Sequence, residues 1–192
     1  DVCSWGVVLK DMSQYNAEYL FPGHGPLIQG KDTIKEILLN TSNCLLWIEE
    51  NVLKLMNQGS TLRNIQDKIT LPEEFNQPYL VSSYDDFTFL INSVWRQYGG
   101  WYSGIPSELK PPSLFDMGSA YIDMAGGKEN LLLFLQSLLA ENKYKEASVL
   151  IDSISAVEPV FYRDIKNAIY SFLADHEPSL MAKGIYNFNL DT

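Results

Sequence analysis

"DTIKEILLNTSNCLLWIEENVLKLMN", Asp32 to Asn57, is the stretch whose reading decides the fold. Apolar residues fall at Ile34, Leu38, Leu45, Ile48, Val52 and Leu55, with Ile37 and Met56 widening the stripe. Spacing by threes and fours over about seven turns predicts one long amphipathic helix. Asn57-Gln58-Gly59 ends it, and Gly59 suits a left-handed C-terminal cap. The stripe approaches heptad spacing, and one domain of this size is expected to leave part of it uncovered. A homodimer interface would bury it; obligate interfaces of that kind exceed roughly 2,000 Å².

Downstream, Ser60 or Thr61 caps a short helix through Ile69, with Leu62, Ile65 and Ile69 inward. Leu71 to Val81 contains Pro72 and Pro78 and reads as an irregular connection. Helical spacing returns from Asp85 to Gln97 through Phe87, Leu90, Ile91 and Val94. "RQYGGWYSGIPSELKPP", Arg96 to Pro112, then breaks it with three glycines and three prolines. Four further helices are expected at about 113–125, 128–141, 143–156 and 159–174. The last three are short and closely joined, a TPR-like helical hairpin without a strict repeat period. The tail "GIYNFNLDT", Gly184 to Thr192, reads as a closing strand or an arm.

Upstream, residues 4–16 read as a helix with Trp5, Val8, Leu9 and Met12 on one face. Tyr19-Leu20-Phe21 is a short strand, stopped by Pro22-Gly23. The fold class is therefore mainly α: a helical domain at 32–192 after a short piece at 1–31.

Composition narrows the function. The chain has 192 residues, 46% hydrophobic and 12% aromatic, enough to bury a sizeable core. Twenty-four acids against fourteen bases give a net charge of -10. That opposes nucleic-acid binding, which needs Lys and Arg to displace counterions, and docking on anionic membranes. No apolar run approaches the roughly 20 residues of a membrane span. Cys3 and Cys44 lie far apart without metal-ligand spacing, and Cys44 reads as a small core residue. Cysteine usage assigns no compartment. The sequence opens without Met, in what reads as the middle of a fold, so an upstream portion is expected. Sequence motifs for NTPases, dinucleotide binding, serine hydrolases and CxxC redox chemistry are absent. Glu49-Glu50, Glu73-Glu74 and Asp85-Asp86 are adjacent pairs; neighbours on a helix diverge by about 100°, so they read as solvated surface.

His24, in "EYLFPGHGPLIQG", stands between Gly23 and Gly25. Both glycines can take positive φ, the freedom a loop needs to aim an imidazole at a metal. A plain surface turn fits the same residues, since zinc needs three or four ligands. His176, in "ADHEPS", reads as a helix-end residue suited to the dipole.

The chain resembles the alkyl sulfatase branch of the metallo-β-lactamase superfamily over about residues 5–190. "YLFPGHGPLIQGKDTIKEIL" is similar to that branch's last metal-ligand loop and following helix. "LMNQGSTLRNIQDKITLPEEFNQPYL" resembles the start of its dimerisation domain. "RQYGGWYSGIPSELKP" is similar to its glycine-tryptophan turn, and "AGGKENLLLFLQSLLAENKYKEASVLIDSISAVEP" to its helical hairpin. "YNFNL" sits where the family has a short terminal motif.

The resemblance implies that residues 1–31 are the C-terminal remnant of a metallo-β-lactamase domain and 32–192 the dimerisation domain. It implies His24 as the final histidine ligand of a two-zinc site, the HxHxDH motif and two acidic ligands lying upstream. It implies a homodimer, and an alkyl sulfate ester cleaved to alcohol and sulfate. Tyr98 matches a tyrosine that contacts the ester; by its own surroundings it reads instead as an aromatic packed under the turn with Trp95, Trp101 and Tyr102. By itself the chain is expected to be inactive. Departures from the family pattern are Asp85 for Gly, Ile105 for Asn, Lys145-Glu146-Ala147 for aromatic-Ala-Ala, and Asn189 for Tyr. Ile185-Tyr186 also stand where an Arg is usual. Two other readings of the chain are a stand-alone TPR-like interaction scaffold and a non-sulfatase metallo-β-lactamase-fold hydrolase.

Overall fold

The computed structural model describes residues 1–190, which divide into two compact units, one from Asp1 to Leu109 and one starting at Lys110. Helices dominate both: nine α-helices and a single two-stranded hairpin occur among the described residues.

The first unit is built on the long helix expected from the sequence, Lys31–Asn57, here α2. Ile34, Leu38, Leu45, Ile48 and Val52 are all buried along it. Gly59 takes φ +79°, and the backbone N–H groups of Gly59 and Ser60 reach back to Met56 and Leu55, closing the helix end as expected. The stripe needs no twin: Val2 of α1 (Val2–Met12), Ile65 of α3 (Leu62–Lys68) and Ile91, Val94 and Trp95 of α4 (Phe87–Gly99) share one core with it. Little of the stripe is left for a second copy to cover, Ile37, Leu55 and Met56 being half-buried.

α1 differs from its sequence reading in face as well as in bounds. Trp5 and Val8 are about half exposed, while Val2 and Gly6 are buried and Leu9 packs against the core. The reason is a close helix crossing. A Cβ on Gly6 would stand 3.0 Å from Leu46 Cγ, and the Ser42 hydroxyl donates to the Gly6 carbonyl at 2.7 Å. The smallest residue, not the largest, sets the contact. Asp1 caps α1, Thr61 caps α3 and Asp86 caps α4, each side chain accepting a backbone N–H of the first turn.

Strands β1 (Tyr19–Leu20) and β2 (Ile28–Gln29) pair antiparallel, Tyr19 opposite Gln29. Residues 21–27 form the hairpin loop and carry His24.

The second unit is a run of helices: α5 (Leu114–Met124), α6 (Lys128–Ala140), α7 (Tyr144–Ile154), α8 (Arg163–His176) and α9 (Leu180–Phe188). α5 to α8 follow the sequence reading within four residues at each end. Its core gathers Leu135, Ile151, Ile154, Tyr162 and Ile169, all fully buried. α5 and α7 meet at Gly118, where a Cβ would lie 2.3 Å from the Ser153 carbonyl oxygen. The tail is corrected: Gly184 to Phe188 belong to α9, capped by the Ser179 hydroxyl, and are neither strand nor arm. Asp191 and Thr192, the end of that tail reading, lie outside the described residues.

Candidate functional site

The first unit carries two places where polar groups stand in unusual surroundings. The first is the hairpin loop. Gly25 takes φ +100°, which leaves the loop free to turn without the clash a side chain would meet; Gly23 does not use positive φ. His24 is exposed, and its ring stacks on Tyr84 with centroids 4.0 Å apart and planes 15° from parallel. The imidazole edges a cleft of about 510 Å³ with Trp5, Cys44, Ile48 and Leu90 among its apolar walls. Asp85 and Asp86 stand on its rim. Their carboxylates are used locally: Asp85 Oδ1 accepts from the Asp86 N–H at 2.8 Å, and Asp86 Oδ1 from the Thr88 N–H at 2.7 Å. Burial raises the Cys44 thiol to about 11, so it stays a neutral wall of this cleft.

Zinc takes three or four ligands. Among the described residues no group of three His, Cys, Asp or Glu side chains could hold a metal. One imidazole does not make a zinc site, and the described residues do not by themselves fit the ion.

The second place joins three helices. Tyr98, near the end of α4, is half exposed, and its hydroxyl donates to Glu49 Oε1 on α2 at 2.5 Å. Glu49 is only 6% exposed, so its reading as solvated surface is corrected: the helix turns it inward and Glu50 outward. The carboxylate holds the Tyr98 phenol above its ordinary pKa, through that hydrogen bond first. Cys3 of α1 lies near enough for the same carboxylate to raise its thiol, again through hydrogen bonding first. Glu49 Oε2, also buried, meets no partner in hydrogen-bond geometry among the described residues. The apolar spacing of α2 places Glu49 next to Ile48 on the buried side, which was the signal for it in the sequence. Tyr98 does not line the His24 cleft.

Trp95 is buried, with its indole N–H donating to the Tyr102 carbonyl at 2.9 Å. Trp101 is exposed. Ile105 precedes the 3-10 turn Pro106–Glu108. Asn189 ends α9, its amide donating to the Ile185 carbonyl at 2.9 Å. His176 closes α8, with Nδ1 2.8 Å from the Phe172 carbonyl oxygen and its ring stacked on Phe172.

A family model described as alkyl sulfatase dimerisation matches residues 61–191. The chain belongs to the alkyl sulfatase dimerisation family. A linear primary-alkylsulfatase of Pseudomonas is 25% identical over 135 residues, 69% of this chain and 26% of that protein. An (R)-specific secondary-alkylsulfatase of Pseudomonas is 25% identical over 164 residues, 83% of this chain and 25% of that protein. The solved structure of the stereoselective inverting sec-alkylsulfatase from Pseudomonas superposes with a TM-score of 0.88 at 22% identity, over 97% of this chain and 30% of that one. This member of the alkyl sulfatase dimerisation family thus spans about a quarter of the relatives it matches, and it shares their mainly α fold there. No helix among its described residues is long and apolar enough to cross a membrane.

Proposed function

We propose that this chain is the dimerisation module of a zinc-dependent alkyl-sulfatase-like hydrolase, which cleaves a sulfate ester to alcohol and sulfate. His24 serves as the last imidazole of its metal site and Tyr98 contacts the ester. One observation carries the reading: the hairpin-tip imidazole, freed by Gly25 and steadied by Tyr84, is exposed at a cleft mouth instead of packed inward. A loop of that kind suits a ligand delivered to a site completed by other residues. Zinc there would polarise the ester and bound water. This chain's own part is to present the ring and hold its plane.

The module pairs with a second copy through surface other than the α2 stripe, which the first unit already covers. Light scattering across micromolar concentrations tests the pairing; a dimer throughout is expected, and a monomer at every concentration overturns it. Zinc content tests the ligand. The chain alone should hold none stoichiometrically, whereas the longer protein should hold zinc and lose part of it on His24→Ala. Full zinc retention in that variant removes His24 from the site.

A further inference from the structure

Glu49 sits beside Ile48 on the buried side of α2, 6% exposed, with one oxygen bonded to Tyr98 and the other without a partner in hydrogen-bond geometry among the described residues. Burying a carboxylate is costly unless every lone pair is met, and an apolar residue of similar volume would fill the place without that cost. A native buried group left short of partners calls for an explanation. Tyr98 does not need the bond for its own sake. The residue is half exposed, so its ring stands within reach of water. What the carboxylate adds is direction, because it draws the phenol hydrogen inward at 2.5 Å.

We infer that Glu49 is a positioning residue for Tyr98, fixing the hydroxyl so that its hydrogen points into the first unit and its free lone pairs point outward. A ligand meeting Tyr98 then finds an acceptor. A sulfate ester brings acceptor oxygens only, so it cannot bond the phenol in this arrangement. Engaging it requires one proton taken up from solvent by the pair. The Glu49 carboxyl O–H then donates to the phenol oxygen, and the phenol O–H turns to the ester oxygen; no bond to carbon or sulfur changes. Cys3, whose thiol the same carboxylate holds above its ordinary pKa, stays neutral there and adds no opposing charge. The ester step rests on the proposed Tyr98 contact, whereas the positioning does not.

Carbon-13 labelling of the tyrosine ring carbon that bears the hydroxyl tests it, with the Tyr98 resonance assigned by its loss in Tyr98→Phe. In the unsubstituted chain this phenol should titrate above the ordinary value near 10. In Glu49→Gln its midpoint should fall toward 10 while far-UV circular dichroism is unchanged. The proposal is overturned by an ordinary midpoint in the unsubstituted chain, or by an unmoved midpoint in Glu49→Gln. Should that variant fail to fold, the first of these measurements still decides. In the longer protein, unchanged turnover of dodecyl sulfate by Tyr98→Phe beside the expected titration supports the positioning and retires only the ester contact.

Discussion

The two units close their polar groups in opposite ways. In the second, Tyr162 is fully buried and donates to the Lys128 carbonyl at 3.1 Å, and Tyr170 donates to Asp152. Tyr144, Phe172 and His176 stack in sequence. The neutral Ser155 hydroxyl is an exception without a partner. In the first, a carboxylate is buried with one oxygen unmet and a histidine stands out on a loop tip. A protein tolerates such loose ends where something outside the unit uses them; elsewhere they only cost stability. The difference sets Glu49 and His24 of the first unit apart from the mostly paired polar groups of the second.

The largest effects should come from the two cores, which ought to respond alike. Ile48 and Ile151 are each 1% exposed or less. Ile48→Ala and Ile151→Ala should each lose about 2–5 kcal/mol in urea unfolding. All four tryptophans, Trp5, Trp47, Trp95 and Trp101, lie in the first unit, so their fluorescence reads the first variant and far-UV circular dichroism the second. Gly118→Ala should cost about 1–3 kcal/mol or more, because the added carbon meets backbone and not a yielding side chain. A loss confined to one of the two isoleucine variants would break the symmetry assumed for the cores.

Alkaline titration should then separate the units. Burial raises Cys44 in the first to about 11 and Tyr162 in the second to about 12, the latter aided by Glu158. Both groups fold in their neutral form. Above its ordinary pKa each ionises first in the unfolded chain, which then binds fewer protons than the folded one, and stability falls as pH rises. The first unit should weaken from about pH 9 to 11 and the second from about 10 to 12. Melting temperature against pH checks this: Cys44→Ala should flatten the earlier decline and Tyr162→Phe the later one.

Much of this contrast was legible beforehand, and unevenly. The long helix, its Gly59 cap and α6 to α8 follow from apolar spacing, because each buries one stripe against its neighbours. The face of α1 was hidden, since a crossing built on Gly6 and Ser42 leaves no apolar signature. β2 at Ile28–Gln29 is two residues long, too short for a period, and exists only because Tyr19 and Leu20 pair with it. α9 is short, Leu180, Ile185 and Phe188 stay exposed on it, and Gly184 lowers its helix propensity, so little marks it as a packed helix. At the site, His24 was visible as a residue and Tyr84 was not, because stacking across sixty positions of chain has no local trace. Glu49 was misread through its neighbour: a doubled acid looks like surface, yet the stripe places one of the two inside.

Replacing the polar groups should reverse the sign between units. Tyr162→Phe forfeits a hydrogen bond under full burial and should cost about 1 kcal/mol. Glu49→Leu removes a buried carboxylate whose second oxygen is unmet, and should be neutral or stabilising by about 1 kcal/mol. Urea midpoints of the two variants at neutral pH supply the comparison. If Glu49→Leu costs more than Tyr162→Phe, the carboxylate is a structural clasp of α1, α2 and α4, and the first unit is as closed as the second.

The smallest effect concerns what holds the His24 hairpin. Lys31 Nζ lies 3.2 Å from Glu18 Oε1, linking the start of α2 to the strand entrance. Both side chains are more than half exposed, so water and salt screen the pair. The backbone bond from the Gly30 N–H to the Glu18 carbonyl, at 2.9 Å, spans the same gap without any charge. Lys31→Ala should therefore shift stability by less than about 0.5 kcal/mol and leave the His24 ring signals unmoved in NMR. Tyr84→Ala should move those signals, since it removes the ring on which His24 stacks. A hairpin that loosened with Lys31 and ignored Tyr84 would place the control of His24 in charge and not in stacking, and the loop would then respond to salt.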